Sequence, residues 1–215
     1  MRLPSAEAYG PASHRLGAWA ADLRNTGLLG RMQLDTYYPE NGRYGFDGAM
    51  AAAEKAFAAD SAVALAQRRM ASQAAISLDA ITVAGLVDLT VSFAGSPARG
   101  MRWLIDQLPR ESVHIERALH DTATRLADSR DDWAVLRAAA GGESVLEAWH
   151  GRRRALTGYR ERLATQRDPL SILPSLLHLH HIRTLGIDPE RERIGRRLAR
   201  AAALRWTATT TRSAR

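Results

Sequence analysis

Cysteine is absent from this chain of 215 residues. The absence excludes disulfide bonds, thiolate metal ligands and a cysteine nucleophile, and it is typical of proteins from a reducing compartment. Lysine is nearly absent as well, since Lys55 is the single lysine among 30 basic residues and the others are arginine. We therefore expect a cytoplasmic protein whose positive charge is carried by guanidinium groups.

The sequence also lacks a signal segment and a long uncharged apolar run. Its first four residues lead into polar positions, without the apolar centre of a signal peptide. The longest apolar stretch, residues 74–94, contains Asp79 and Asp88, and a carboxylate at mid-bilayer costs roughly 2.5 to 3.5 kcal/mol. We interpret this stretch as a buried core helix and expect no association with a membrane.

The net charge of +7 is unevenly distributed. The last 65 residues carry 15 arginines against 5 acidic residues, so the first 150 residues are net negative. A solvated helical surface is the simplest interpretation of this charge, and binding of an anionic partner is the alternative. A nucleic-acid partner has little support, because no helix-turn-helix signature or interleaving of aromatic and basic residues accompanies the charge.

Apolar periodicity and helix-ending signals predict a mainly helical chain. Residues 28–38 differ, since Met32, Leu34 and Thr36 alternate with polar residues at the period of a half-buried strand. The predicted fold class is therefore α+β, predominantly α-helical, with helices packed on a small sheet whose N-terminal strands are truncated. We predict a single domain over residues 1–206 and a disordered tail over residues 207–215.

Local signals place the predicted helices along the chain. Asp47 and Asp60-Ser61 can each cap a helix, which predicts a helical hairpin there. Asp188-Pro189-Glu190 has the residue order of a helix start. The other predicted helices cover residues 13–27, 77–93, 101–108, 113–126, 133–140 and 145–163, and the histidine-rich segment before Gly186.

That histidine-rich segment, residues 175–186, is the most informative part of the chain. On a helix, His178 and His181 lie three apart and share a face, whereas His180 points elsewhere. Two histidines could begin a metal site, but no cysteine and no carboxylate at helix spacing completes it, so we expect no metal. The plain alternative is a core histidine with one hydrogen-bond acceptor, and for Arg183 an arginine placed favourably at a helix C-terminus.

A second locus lies in the turn after the predicted strand. Glu40, Arg43 and Tyr44 stand in a loop, where functional groups are often presented from a rigid scaffold. An exposed salt bridge between Glu40 and Arg43 is the plain alternative. No glycine-rich phosphate loop and no nucleophile-elbow sequence occurs in the chain.

The two loci carry motifs in the order of a known family. Residues 36–45 read Thr-Tyr-Tyr-Pro-Glu-Asn-Gly-Arg-Tyr-Gly, residues 53–54 read Ala-Glu, residues 57–61 read Phe-Ala-Ala-Asp-Ser, and residues 175–186 read Ser-Leu-Leu-His-Leu-His-His-Ile-Arg-Thr-Leu-Gly. This pattern resembles the C-terminal elimination domain of lantibiotic and thiopeptide dehydratases, a group that includes the related thiopeptide pyridine synthases. The chain departs from it at Phe46, where the family has a second glycine, and at Ile182, where it has asparagine. Residues 1–3 resemble only the end of an earlier family strand.

The resemblance implies a lyase that removes glutamate from glutamylated serine or threonine of a ribosomally made peptide, leaving a dehydroamino acid. It implies His178 as the catalytic base and Arg43 as the catalytic cation. Substrate-binding roles fall to Glu40, Tyr44, His181 and Arg183. We expect no cofactor, a precursor peptide with leader and core as the substrate, and a separate glutamylating dehydratase subunit as a partner.

Three alternatives remain open at this point. A thiopeptide pyridine synthase, which forms a ring by a formal [4+2] cycloaddition and then eliminates the leader peptide, shares the motifs. A noncatalytic subunit that binds the precursor peptide would also keep them. The oligomeric state is open too, with a homodimer among the options.

Overall fold

The computed structural model of the chain describes residues 7–33, 35–110 and 114–213. Helix accounts for 76% of the described residues. The helices are α1 Tyr9–Asn25, α2 Asn41–Tyr44, α3 Gly48–Ala74, α4 Leu78–Ala94, α5 Pro97–Gln107, α6 Arg117–Leu126, α7 Ala134–Ala138, α8 Gly142–Leu163, α9 Leu173–Leu185 and α10 Pro189–Ser213, with a 3-10 turn at Pro169–Ile172 before α9.

The predicted α+β class is wrong, because none of the residues that the structure describes forms a strand and the fold is all-α. Residues 31–33 and 35–40, where the alternating pattern predicts a strand, have no regular structure. A strand needs a partner for its backbone N–H and C=O groups, and the described chain offers none. Leu34 and the predicted strand end at residues 1–3 lie outside the described residues.

Contacts within the chain group it into two units, Met1–Pro39 and Glu40–Arg215. The first contains α1, and the second contains α2 to α10. A single domain over residues 1–206 stays a prediction. The residues after 206, for which the sequence predicts a disordered tail, continue α10 as far as Ser213.

Helix α4 is the core helix of the second unit. All but a few of its residues are buried, and α3, α5, α6, α8, α9 and α10 all pack against it. It ends at Gly95, which takes φ +84° as the left-handed C-cap, so the prediction of a long central helix is confirmed. Within the described ranges, no helix by itself has the length and apolar composition to cross a membrane, and the pair α4 and α5, bent by 117°, meets those criteria only together.

Helix α3 is continuous, so the predicted helical hairpin at Asp60-Ser61 is wrong. The Ser61 hydroxyl donates back to the carbonyl of Phe57 at 3.0 Å, which satisfies it within the helix instead of at a cap. Asp60 is buried, with 4% of its surface exposed. Its carboxylate therefore faces the interior, where α8 and α9 supply its partners.

Candidate functional site

His178 lies on α9 and faces α10 with half of its side chain exposed. Its Nδ1 is 2.9 Å from a carboxylate oxygen of Glu192. A carboxylate can only accept a hydrogen bond, so Nδ1 carries the proton and donates. The lone pair of the neutral ring is then on Nε2. This arrangement, a histidine oriented by a carboxylate, is that of a general base.

Glu192 accepts hydrogen bonds from two side chains. Arg196, one turn later on α10, donates to its Oε1 at 2.6 Å, while His178 contacts both oxygens. Burial alone would raise the pKa of Glu192, but the hydrogen bond from His178 and the charge of Arg196 outweigh it and lower the pKa. Glu192 is therefore an anion at neutral pH and keeps the His178 ring in one tautomer.

The other two histidines of α9 are buried, with His180 0% and His181 1% exposed. Burial lowers the pKa of both rings. The charge of Glu192 partly offsets this effect on the pKa of His181. His180 faces the core, where its Nδ1 contacts Asp60. A substrate-binding role for His181 stays a prediction, although its ring is covered in this structure.

The interior beside His180 contains a cluster of ions built around Arg152 of α8, which is fully buried. Its guanidinium donates to Asp60 Oδ1 of α3 at 2.7 Å and to Asp88 Oδ2 of α4 at 2.9 Å. It also donates to the carbonyl of Gly85 at 2.9 Å. One side chain thus joins three helices.

Three more side chains complete this buried ion cluster. Arg153 donates to Asp88 Oδ1 at 2.6 Å. Arg183 donates to Asp60 Oδ2 at 2.8 Å, and His180 Nδ1 donates to Asp60 Oδ1 at 2.8 Å. With His180 neutral, three arginines face two carboxylates, and the cluster carries one net positive charge.

Asp60 is the anion that this cluster stabilises most strongly. Its burial would raise the pKa of the carboxyl, but the hydrogen bonds and charges of His180 and Arg152 hold that pKa well below its usual range. A buried carboxylate with that many donors stays ionised. The cluster is therefore charged throughout the neutral pH range.

The aromatic ring of Phe57 connects the two predicted loci. The Arg183 guanidinium lies 5.4 Å from the ring centroid, and Tyr44 packs edge-on against the same ring with centroids 4.8 Å apart. Tyr44 is buried. Of the residues predicted from the sequence, Tyr44 and Arg183 are thus brought to one place, with Asp60 one helical turn after Phe57.

Residues 42–46 are held by three side chains from α8 and the segment after it, Tyr159, Gln166 and Arg167, which we call the turn clamp. The Tyr159 hydroxyl donates to the Tyr44 carbonyl at 2.9 Å. Gln166 accepts from the N–H of Phe46 and donates to its C=O, at 2.9 and 3.1 Å. Arg167 donates to the carbonyls of residues 42 and 43, at 2.8 and 3.2 Å. Every one of these bonds reaches the backbone of the turn.

The glycine after Tyr44 is required by both conformation and space. Gly45 has φ +96°, and a Cβ there would lie 2.8 Å from the Cβ of Ala49. Left-handed φ values are easily adopted only by glycine. Phe46, at the family's second glycine position, is 54% exposed, so the turn accommodates its side chain in solvent.

Arg43 and Glu40 form the exposed salt bridge that the sequence predicts as the plain alternative, at 3.4 Å and with more than half of each side chain exposed. Among the contacts of the described residues, none joins Arg43 to His178 directly. The two predicted catalytic residues are thus both accessible but separately held. No group of three or more metal-ligating side chains occurs in the described ranges, and the absence of a metal stays a prediction.

Glu192, Asp60 and Arg152 were not among the site residues that the sequence predicted. Asp60 stood in the Phe57-Ala58-Ala59-Asp60-Ser61 motif, where the sequence predicted a helix cap. Glu192 follows Asp188 by one helical turn, on the face that meets α9. Arg152 stands in a run of three arginines, and nothing in the sequence marks it as the buried one.

The family described as lantibiotic biosynthesis dehydratase, C-terminal, matches residues 1–203. The crystal structure of the tRNA-dependent lantibiotic dehydratase MibB from Microbispora sp. 107891 aligns with a TM-score of 0.81 and 27% sequence identity. The alignment covers 97% of this chain and 23% of that chain, so this chain spans about a quarter of the length of MibB. No curated protein sequence matches.

Proposed function

The chain belongs to the lantibiotic biosynthesis dehydratase C-terminal family, and from that premise we propose that it eliminates glutamate from glutamylated serine or threonine during maturation of a ribosomally made peptide. The observation that carries the proposal is the exposed contact between His178 and Glu192. It supplies an oriented base on the surface, where a peptide can reach it.

The proposed step begins with removal of a proton. His178 Nε2 takes the proton from Cα of the modified residue, and the Cα–H electron pair forms a double bond to Cβ. The Cβ–O bond breaks, and glutamate leaves as a carboxylate anion. The reaction is balanced without an oxidant or a second substrate, and a positioned base contributes typically 10² to 10⁴ in rate.

Negative charge that develops in this step needs a cation nearby. Arg43 has 57% of its side chain exposed, and its only carboxylate partner among the described contacts is the equally exposed Glu40. Arg183 has 22% of its side chain exposed and is fixed by Asp60 and Phe57. We assign Arg43 to the leaving carboxylate and Arg183 to a second cationic position, because guanidinium groups match carboxylates in two-point geometry.

The proposal includes two partners. One is the precursor peptide, whose modified core reaches His178 and whose leader is bound elsewhere on the surface. The other is a protein that glutamylates the peptide beforehand, because the proposed substrate already carries glutamate on serine or threonine. A chain that only bound the peptide beside such a partner would lack turnover.

The test is mass spectrometry of a glutamylated precursor peptide incubated with the full chain. Loss of glutamate, with one double bond formed per glutamate released, is the expected result. His178→Phe should slow this loss by at least about 10²-fold. The matched control is His120→Phe, because His120 is also about half exposed and also contacts a carboxylate, that of Asp121, at 3.3 Å.

A parallel reaction contains a multiply dehydrated precursor peptide. Ring formation with release of the leader from that peptide, and no change in the glutamylated one, would identify a pyridine synthase instead. Peptide binding without turnover of either substrate would identify a noncatalytic subunit. Equal activity of His178→Phe and the parent chain would remove His178 from the chemical step.

A further inference from the structure

A cavity of about 390 Å³ is lined by α8 and by the junction of α4 and α5. Its α8 wall is formed by Arg153, Thr157 and Arg160, which are spaced four and three residues apart and therefore share one helix face. Its volume falls within the range of small-molecule sites.

The walls of this cavity carry positive charge and no carboxylate. Arg153 and the buried Arg152 both donate to Asp88. One carboxylate thus faces two guanidinium groups, which leaves a net positive charge beside the cavity. Arg160 adds a second positive charge. Two acids next to lining residues in the sequence, Asp128 and Asp132, are already bound by Arg130 and Arg137. A third, Glu161, follows Arg160 but is not part of the lining.

Both arginines have N–H groups that are not used in the described hydrogen bonds. Arg153 uses Nε and Nη2 on Asp88, and its side chain is one-third exposed. Arg160 makes one long hydrogen bond, 3.5 Å to the carbonyl of Phe93, out of the five N–H groups of a guanidinium. Within the described contacts, the remaining N–H groups of both side chains are available to a ligand.

Two further features of the cavity fit a polar ligand. The Ser129 hydroxyl oxygen is buried at the cavity wall and has no hydrogen-bond partner, a costly state unless something occupies it. The Arg160 guanidinium lies where a Cβ on Gly95 would be, 2.0 Å from Nη1. Glycine at the end of α4 thus makes room for the cation at the cavity.

We infer that this cavity binds the carboxylate of a small organic ligand, held between Arg153 and Arg160 with the Ser129 hydroxyl as a further contact. The side chains of Trp133 and Val91 also line the cavity, so an aliphatic portion of the ligand has apolar surface to contact. The negative charge of the ligand follows from the two arginines, and the apolar side chains favour an organic carboxylate over inorganic phosphate. Free glutamate as its source rests on the proposed function, and a glutamyl side chain of a bound peptide is the other source.

The test is an NMR titration of the full chain that follows the indole N–H of Trp133. The probes are L-glutamate, the capped peptide acetyl-Gly-Glu-Gly-amide, L-glutamine as the uncharged match, and inorganic phosphate. Saturable shifts with glutamate but not the capped peptide would support binding of the free amino acid. Saturable shifts with both would support binding of a peptide side chain.

Variants tie the shifts to the cavity. Arg160→Gln should weaken binding at least about tenfold, because it removes a charged donor to the ligand. Thr157→Glu, at an exposed position of α8, should weaken binding to a similar extent, because the new carboxylate repels the ligand. This variant leaves the contact between Arg160 and α4 in place. The control is Arg154→Gln, since Arg154 is exposed on the same helix outside this cavity.

Several results would overturn the inference. The first is the absence of a saturable shift up to about 50 mM glutamate, a concentration that still detects very weak binding. The second is that glutamine binds as well as glutamate, and the third is that phosphate binds more tightly than either carboxylate. Unchanged binding in both Arg160→Gln and Thr157→Glu would do the same. The titration requires no turnover, so its failure is separate from failure of the proposed elimination.

Discussion

His178 and His180 are two residues apart on α9, and each donates from Nδ1 to a carboxylate, yet they lie in opposite surroundings. His178 is half exposed and contacts Glu192 at 2.9 Å, while His180 is fully buried and contacts Asp60 at 2.8 Å. The chemical type of the partner is therefore the same in both regions. Access of water and substrate to the second ring nitrogen is what differs.

The comparison shows that a histidine–carboxylate pair can have two roles, one in the interior and one at the surface. In the buried region, every charge depends on a partner, because an unpaired buried ion is strongly destabilising. In the exposed region, an ion pair contributes little to folding, so its groups are available for chemistry. We expect substitutions in the interior to change stability and substitutions at the α9–α10 surface to change turnover.

The largest effect expected is on folding, from Arg152→Met. The change keeps much of the side-chain volume but leaves Asp60 and Asp88 without their shared cation, and breaking a buried pair in this way costs about 3 to 5 kcal/mol. Urea unfolding measures the free energy. Arg154→Met, at an exposed position of the same helix, should change it by less than about 0.5 kcal/mol. A loss below about 1 kcal/mol for Arg152→Met would show that the cluster does not stabilise the fold.

The next effect is on turnover, from Glu192→Gln. A glutamine amide can donate to Nδ1 of His178, which moves the ring proton to Nε2, where the proposed base needs a lone pair. We expect the elimination rate to fall by about 10²-fold while the free energy of unfolding changes by less than about 1 kcal/mol. The readout is single-turnover mass spectrometry.

Glu190→Gln is the matched control for that change. Glu190 lies on the same helix, is largely exposed, and pairs with Arg193 instead of with a histidine. Its substitution should leave turnover unchanged. Loss of activity in both variants would point to the general charge of α10 and away from the His178 tautomer.

A third effect concerns the pH dependence of folding. Burial lowers the pKa of His180 and His181, so the folded chain keeps both neutral, whereas the unfolded chain protonates them below their ordinary pKa of 6.5. The unfolded state then binds more protons, and stability should decrease as the pH falls from 7.5 to 5.5, by at most about 1.4 kcal/mol per pH unit for each histidine. Asp60 has a lowered pKa and loses its contribution only below its ordinary value of 3.8.

Urea unfolding at pH 7.5, 6.5 and 5.5 measures this dependence. His181→Leu should reduce the slope, because one titrating group of the unfolded chain is removed. A stability that is flat between pH 7.5 and 5.5 would contradict neutral burial of the two rings.

The smallest effect expected on folding is that of Arg43→Ala. The bridge to Glu40 is exposed on both sides, so the free energy of unfolding should change by less than about 0.5 kcal/mol. Elimination should nevertheless slow if Arg43 contacts the leaving carboxylate. Arg193→Ala is the control, because Arg193 also pairs with a glutamate three residues before it. A thermal midpoint lowered by more than a few degrees would place Arg43 among the structural residues.

The features of the fold that the sequence predicted correctly have local signals. Helix α4 begins after Ser77 and ends at Gly95, and α10 begins at Pro189, as the capping and turn residues indicate. The break at Asp60 and the strand after residue 28 were wrong, because both depend on what the segment packs against. A buried carboxylate and a cap carboxylate look alike in a sequence, and an alternating pattern does not reveal whether a partner strand exists.

As with the fold, the parts of the candidate site that have local sequence signals were predictable, and those that depend on tertiary packing were not. The family was identified correctly from its two motifs, and the shared face of His178 and His181 follows from helical spacing. The partner of His178 was missed because Glu192 is fourteen residues away on another helix, and only the packing of α9 on α10 brings them together. The buried position of Arg152 likewise results from tertiary packing and not from its neighbours in sequence.

The turn clamp has a consequence for how new specificity could arise in this family. Its bonds reach backbone atoms of residues 42–46, and a Cβ at Gly42 would meet open space, so the side chains at residues 42 and 46 can change without loosening the scaffold. Tyr44 and Gly45 are constrained by packing and by backbone conformation, and Arg43 by the role that we propose for it. The sequence of the turn can therefore diverge with little loss of stability, and Phe46 in place of the family's glycine is an example.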